Sequence, residues 1–267
     1  MSFPYKHVLM VGATSGIGKA LADRMIKEGL KVTVTGRRND RLEAFVKEYG
    51  EEKASMIAFD IADTQNAPKF AAETMSKFPD IDCVFLNAGI QRRHMWGKPA
   101  SVDLAEFNNE FHVNFTSFVA LTHAFLPLLE KQQFPTSIVY TGTHIAIVPA
   151  ITLSGYSASK AALNSFTLCL RFELANAGSN IKIIELSPPP VQSELHDYMP
   201  GGRNFGMPVD QFTELAWKGL ASGDDQIIIG DLGPPGSKGV AEPFKEIVPK
   251  RREVFETLSG IVASHMR

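Results

Sequence analysis

Tyr156 and Lys160 stand four residues apart in the run Gly155-Tyr-Ser-Ala-Ser-Lys-Ala-Ala162. On a helix that spacing puts both side chains on one face, a turn apart. A phenol with its ordinary pKa of about 10 is a poor acid or base at neutral pH. An adjacent ammonium favours the phenolate and lowers that pKa. The pair therefore suits proton exchange with a hydroxyl or carbonyl oxygen. The same spacing also describes two exposed residues on a surface helix, so the weight falls on the elements that would hold the pair.

The first of these elements is at the N-terminus. His7 to Val11 is a short apolar run, suited to a strand buried on both faces. It leads into Gly12-Ala-Thr14-Ser15-Gly16-Ile17-Gly18, then a helical pattern with Ala20, Leu21, Met25 and Ile26 as its apolar face. Gly29 stops that helix before a second strand, Lys31 to Thr35. Strand, glycine loop, helix and strand in this order form the context of a dinucleotide-binding loop. Its glycines let backbone approach a pyrophosphate, and the helix start offers unpaired N–H groups.

The second strand ends Val34-Thr35-Gly36-Arg37-Arg38, with Gly36 where an acid would bind the ribose hydroxyls of NAD. Guanidinium groups at Arg37 and Arg38 suit a phosphate instead. We expect NADP(H) in preference to NAD(H), resting on Arg37 and the missing acid. Arg38 could equally begin a solvated helix, Asn39 to Tyr49.

The alternation continues. Strands are expected at Ala54 to Phe59, Ile81 to Leu86, Ser137 to Tyr140, Ile181 to Leu186 and Gln226 to Ile229. Helices are expected from Thr64, from Ser101 to about Glu130, from Tyr156, from Pro208 to about Leu220, and from Phe244 to Met266. Gln91 to Pro99, with Arg92, Arg93, His94, Met95 and Trp96, loops over the cleft or out to a partner. His112, His123 and His144 read as structural, and no metal site is expected. Seven strands alternating with helices predict an α/β fold: a doubly wound, mostly parallel, Rossmann-like sheet with helices on both faces.

The loop spacing, Gly-x3-Gly-x-Gly, differs from the widespread Gly-x-Gly-x-x-Gly and resembles that of the short-chain dehydrogenase/reductases. The resemblance runs from about Val8 to Ser193 through several motifs in order. Val11 stands where that family commonly has Thr, and Leu86 replaces the first Asn of its Asn-Asn-Ala-Gly. The resemblance implies that Asp60 and Ile61 contact adenine, that Asn87, Ala88 and Gly89 border the cofactor, and that Asn114 holds a water on a proton path to the lysine. It also implies a catalytic hydroxyl thirteen residues before the tyrosine, which here is Thr143. After the sixth strand the family's Pro-Gly and Val-x-Thr become Pro188-Pro189 and Val191-x-Ser193. Pro188, Val191 and Ser193 are then expected at the nicotinamide, with Pro189 stiffening the loop. Tyr156 and Lys160 would touch both substrate and cofactor.

Composition sets the remaining bounds. The chain of 267 residues is 44% hydrophobic with a formal charge of −2, which gives no general attraction to nucleic acid or anionic lipid. Cys83 and Cys169 read as buried thiols of a reducing compartment, and a cytoplasmic location is expected. No secretory leader is evident, and no stretch is expected to span a membrane. One domain covers residues 1–267, with a substrate lid over about 188–224 and a C-terminal extension over about 231–267, its first part Asp231 to Gly239 a loop.

The expected activity is an NADP(H)-dependent interconversion of a ketone or aldehyde with an alcohol. Tyr156 is the acid/base, Lys160 lowers its pKa and holds the ribose, Thr143 orients the carbonyl and Asn114 supports the proton path. Trp96, Phe205 and the lid methionines hint at an apolar or aromatic substrate. The resemblance implies a homo-oligomer, dimer or tetramer, packed through the Asn114 and Tyr156 helices. The changes at Val11, Thr143 and Pro189 leave two alternatives: a cofactor-binding protein with little or no turnover, or isomerase or lyase chemistry on the same fold.

Overall fold

Side chains of the central strands alternate between two apolar cores, as the period of two demands. Val8 and Met10 of β1 (His7–Val11) face one core, while Leu9 and Val11 face the other. Cys83 and Phe85 of β4 (Cys83–Leu86) join the first, and Val84 and Leu86 the second. Both faces are covered, so these strands are apolar throughout rather than alternating with polar residues. The computed structural model describes residues 3–232 and 238–265, the side chains of 238 and 239 excepted.

The remaining strands are β2 (Lys31–Gly36), β3 (Ala54–Ala58), β5 (Thr136–Thr141), β6 (Ile181–Ser187) and β7 (Gln226–Ile228). They form one seven-stranded sheet in the order β3-β2-β1-β4-β5-β6-β7, every pair parallel. The expected doubly wound α/β fold is what the chain adopts. The order reverses between β1 and β4, and the crevice above that reversal is where open α/β sheets bind ligands.

The first core takes Leu21 and Met25 of α1 (Gly16–Lys27), Leu42 and Phe45 of α2 (Asn39–Tyr49), and Phe212 and Trp217 of α7 (Val209–Ser222). The second takes Phe70 of α3 (Ala67–Lys77), Phe118 and Phe125 of α5 (Ser117–Leu129), and Leu163 and Leu170 of α6 (Ser154–Asn176). Each such side chain contributes roughly 1.5–3 kcal/mol by leaving water.

Four expectations need correction. The helix expected from Ser101 is broken: Pro99–Ser101 is a 3₁₀ turn, α4 spans Leu104–Phe111, and His112–Thr116 is a π-turn before α5. Asp103 caps α4 by accepting from the N–H groups of Ala105 and Glu106, which fixes the later start. Secondly, the run Leu104–Leu129 is long and apolar enough to cross a membrane by composition, with a mean hydropathy of 1.2. Phe118, Leu121, Phe125 and Leu129 nevertheless lie buried in the second core.

Thirdly, Cys169 is exposed and only Cys83 is buried. Leu168 and Leu170 supply the inward side of α6 there, and Cys169 shares its outward face with Ser165 and Glu173. Fourthly, the span 188–224 divides: Pro188 to Met207 is irregular, with two short 3₁₀ turns, whereas α7 is anchored by Phe212, Ala216 and Leu220 in the core. The expected loop Asp231 to Gly239 falls largely outside the described residues. Beyond it α8 (Lys238–His265) starts earlier than expected and runs through Pro243 and Pro249; the expected end at Met266 lies outside the described residues.

Candidate active site

The carboxyl ends of β1, β4, β5 and β6 open onto one cleft of about 1080 Å³. Gly12, Thr14, Ser15, Gly16, Ile17, Arg37, Arg38, Asp60, Ile61, Asn87, Ala88 and Gly89 line one side. Thr143, Tyr156, Lys160, Pro188, Val191 and Ser193 line the other. Of the catalytic and cofactor-binding residues expected from the sequence, Gly18 and Asn114 are the two that do not line it.

The glycine loop is held by its neighbours. Gly12 and Ala13 donate to the Thr35 carbonyl at 2.8 and 3.1 Å, and Asn87 and Ala88 donate to the Val11 carbonyl at 3.0 Å each. The Asn87 amide donates to the Gly12 carbonyl at 3.1 Å and accepts from Thr141 Oγ1 at 3.0 Å. A Cβ on Gly12, whose φ is +89°, would lie 2.6 Å from Ala88 Cα. A Cβ on Gly18 would lie 2.2 Å from the Gly12 carbonyl oxygen. Only glycine lets these segments close up and leaves a backbone cradle at the start of α1. These residues fit the phosphates of a dinucleotide.

Arg38 departs from the solvated reading. Its Nη2 donates to Thr14 Oγ1 at 2.6 Å and to Ser15 Oγ at 2.8 Å, and its Nη1 meets Glu194 Oε2 at 2.6 Å. Arg37 is exposed at the cleft margin. The guanidinium tied to the glycine loop is thus the second of the two.

Tyr156 and Lys160 emerge from the first turns of α6, both buried, at 7% and 1% exposure. Lys160 Nζ donates to the Thr141 carbonyl at 2.8 Å and sits 5.8 Å from the Tyr156 ring centroid. Burial pulls its pKa down to about 8, opposed by the carboxylate of Glu185. Glu185 is itself buried at 2% exposure. It accepts from Asn164 Nδ2 at 2.7 and 3.0 Å and from Thr167 Oγ1 at 3.1 Å. The expected lowering of the Tyr156 pKa is absent here. Burial raises it, and the Glu110 carboxylate adds to the rise. Lys160 is turned to a backbone carbonyl rather than to the phenol, and the desolvation of a fully enclosed ring outweighs its charge.

Asn114 lies in the π-turn with no exposure. Its Oδ1 accepts from Ile90 N at 2.9 Å, and its Nδ2 donates to Ile90 O at 2.8 Å. A Cβ on Gly89 would lie 3.2 Å from that Oδ1 and 3.9 Å from Lys160 Nζ. The side chain therefore pins the segment after β4 beside the lysine. His144, adjacent to Thr143, is buried; among the described residues neither ring nitrogen has a hydrogen-bond partner, and burial brings its pKa down to about 4. Its ring centroid lies 4.9 Å from that of Phe244 of α8, the two rings tilted by 40°, and it is a neutral packing group.

Several groups escaped the sequence reading. Glu110 of α4 is fully buried; it accepts from Arg92 N at 2.8 Å and pairs with His94 Nε2 at 3.0 Å. Burial raises its pKa. A Cβ on Gly155 would lie 2.4 Å from Glu110 Oε2, so the glycine before Tyr156 is what admits the carboxylate. Gln91 Oε1 accepts from Tyr198 OH at 2.8 Å and hydrogen-bonds His196 Nδ1 at 3.1 Å, tying the 91–94 segment to the 194–199 segment. The sequence signal for Glu110 was faint: an acid between Phe107 and Phe111 on a helix. Trp96 does not line the cleft; it is half exposed and donates to Ser154 Oγ at 2.9 Å. Ile145, Val148, Ile151, Leu153, Met199 and Phe205 contribute apolar side chains to the cleft lining.

Known proteins resemble this chain in sequence and in fold. The family model described as short chain dehydrogenase matches residues 6–201. A serine 3-dehydrogenase of Agrobacterium fabrum is 36% identical over 196 residues, covering 73% of this chain and 76% of the relative. The structure of a 3-ketoacyl-(acyl-carrier-protein) reductase from Brucella melitensis, complexed with NADH, superposes with a TM-score of 0.74 at 25% identity, covering 85% of this chain and 98% of that one. A short chain dehydrogenase of Burkholderia cenocepacia in complex with NADP superposes with a TM-score of 0.71 at 23% identity, covering 86% and 90%.

Proposed function

Since the chain belongs to the short-chain dehydrogenase/reductase family of nicotinamide-dependent oxidoreductases, we propose that it interconverts an alcohol and a ketone or aldehyde with NADP(H), through Tyr156. The observation that carries this reading is the meeting of Tyr156, Lys160 and Thr143 with the glycine loop on a single cleft. When bound, the nicotinamide supplies or takes up the hydride. Tyr156 OH gives its proton to the carbonyl oxygen on reduction and recovers it on oxidation. Thr143 Oγ1 donates to that same oxygen and orients it. The Lys160 ammonium holds the ribose and stabilises the phenolate as it forms. Asn114 keeps the segment beside Lys160 in place and supports the proton path behind it. Pro188, Val191 and Ser193 would hold the nicotinamide, and Asp60 and Ile61 the adenine.

The absence of an acid after β2 and the guanidiniums of Arg37 and Arg38 support NADP(H). Arg38→Ala and Arg37→Ala are each expected to weaken NADPH about tenfold and NADH less than twofold, read as Kd by quenching of protein fluorescence. Equal losses for both cofactors would remove that preference. Val148, Leu153 and Phe205 in the cleft lining support an apolar or aromatic substrate. The free thiols fit a reducing, cytoplasmic setting, and the helices from Leu104 and Ser154 are where a second subunit would pack.

The direct test is NADPH oxidation against a panel of carbonyl compounds. Tight NADPH binding with no turnover on any of them would favour a binding protein without redox activity, the reading that Thr143 and Pro189 support. Product formed without NADPH oxidation would favour isomerase or lyase chemistry.

The pH dependence follows from Lys160. Its pKa in the cofactor-free chain is about 8, below its ordinary value because of burial, so the charged form persists below that pH and is lost above it. The value of kcat/KM for NADPH, which reports the free enzyme, should fall as pH rises through about 8. In Glu185→Gln the loss of the supporting carboxylate should move that limb to lower pH. A wild-type profile flat to pH ~9.5 would contradict the assignment.

A further inference from the structure

Glu194 follows Ser193 directly, begins the first 3₁₀ turn of the irregular segment and lines the cleft. Its carboxylate bridges two guanidiniums: Arg38 Nη1 at 2.6 Å and Arg41 Nη1 at 2.8 Å. Arg203 approaches the same carboxylate at 3.7 Å while forming a two-bond pair with Asp197 at 2.7 and 2.8 Å. Burial works against the charge, but hydrogen bonds from Arg38, Arg41 and Ser15 hold Glu194 well below the carboxylate range, at about 2. The carboxylate is therefore charged at every working pH. It reaches across 156 residues to the guanidinium that Thr14 and Ser15 already aim at the glycine loop.

We propose that Glu194 is an internal competitor for the 2′-phosphate of NADP(H), occupying Arg38 and Arg41 until the phosphate takes them. This rests on the NADP(H) reading above. A phosphate dianion and a carboxylate on one guanidinium repel each other. NADPH therefore has to displace Glu194 or bind beside it, whereas NADH, without the phosphate, leaves the bridge intact. The bridge also fixes the covering segment. A Cβ on Gly16 would lie 3.1 Å from Ser193 Cβ, so the residue before Glu194 rests on the glycine loop. Release of Glu194 frees the 194–204 segment at its first residue. Arrival of the phosphate is thereby coupled to movement of the cover, and cofactor choice is set by a residue far from β2.

The test measures Kd for 2′,5′-ADP and 5′-AMP, and for NADPH and NADH, by calorimetry on wild type and Glu194→Gln. The amide keeps the shape and removes the charge. The variant is expected to bind 2′,5′-ADP and NADPH about fivefold more tightly, with 5′-AMP and NADH unchanged within about twofold. Trypsin cleavage after the exposed Arg203 should be faster in the variant, and in wild type faster with 2′,5′-ADP than with 5′-AMP. If wild type prefers 2′,5′-ADP and the variant's preference is the same or smaller, the competition is overturned while the NADP(H) reading stands. If wild type has no preference and the variant acquires one, the competition is supported and the NADP(H) preference of the native chain falls. If neither shows a preference, both readings fall.

Discussion

Tyr156→Phe is expected to lower kcat roughly 10³-fold on any carbonyl substrate that the wild type reduces, with Kd for NADPH changed less than about twofold. The reasoning begins with what the hydroxyl does in the resting chain. Among the described residues it has no hydrogen-bond partner, and the ring is buried at 7% exposure against the cleft wall. Phenylalanine keeps that ring and leaves no polar group stranded, so folding should be unaffected. What is lost is the proton for the substrate oxygen. Burial and Glu110 hold the phenol's pKa up, so in the resting chain Tyr156 is a protonated acid ready to donate. Stopped-flow reduction and a fluorescence titration of NADPH on the same preparation separate chemistry from binding. Activity retained within tenfold would move the acid role elsewhere.

His94→Ala is expected to destabilise the chain by about 3–5 kcal/mol, measured as a shift in the urea midpoint at unchanged slope. Glu110 has no exposure; among the described residues its Oε2 hydrogen-bonds only the His94 ring nitrogen, Oε1 being taken by Arg92 N. Removing the imidazole leaves a buried carboxylate half paired, which costs far more than a surface ion pair returns. Glu110→Gln should cost much less, because an amide still meets His94 and Arg92 with no charge to bury. The pair lies under Gly155, so His94→Ala should also reduce kcat by letting the start of α6 shift. A midpoint shift equal to that of Glu110→Gln would show that the charge is dispensable.

How far the sequence could be read depended on the range over which each feature is encoded. The strands at His7 and Ile181 and the loop from Gly12 to Gly18 are continuous runs whose hydrophobic period and glycine spacing carry their own meaning. Tyr156 and Lys160 were marked by their own spacing, whereas Thr143 and the Asn87-Ala88-Gly89 strand end were reached through the family resemblance; all of them line the cleft. Glu110 and His94 were not, because a buried acid gives no local sign of its partner sixteen residues back. The bridge from Arg38 to Glu194 spans most of the fold, so a residue that reads as the start of a solvated helix is fixed only by the tertiary structure. Cys169 was misplaced by composition: in a helix rich in apolar residues, which side faces out is set by what packs there.

The π-turn at His112–Thr116 has a consequence in the phase of the helix that contains it. A π-turn is an α-helix carrying one extra residue, and each residue of an α-helix advances the face by about 100°. Removing one residue between His112 and Thr116 would restore a continuous helix from Leu104 to Leu129 and rotate one half relative to the other by about that angle. Either Phe118, Leu121 and Phe125 keep the core and Glu110 swings away from His94, or Glu110 stays and the three apolar side chains turn outward. A single inserted residue thus lets one helix serve two masters out of register, an apolar core behind and a polar pair in front. A deletion variant, more than any substitution, would show the two to be geometrically incompatible without it.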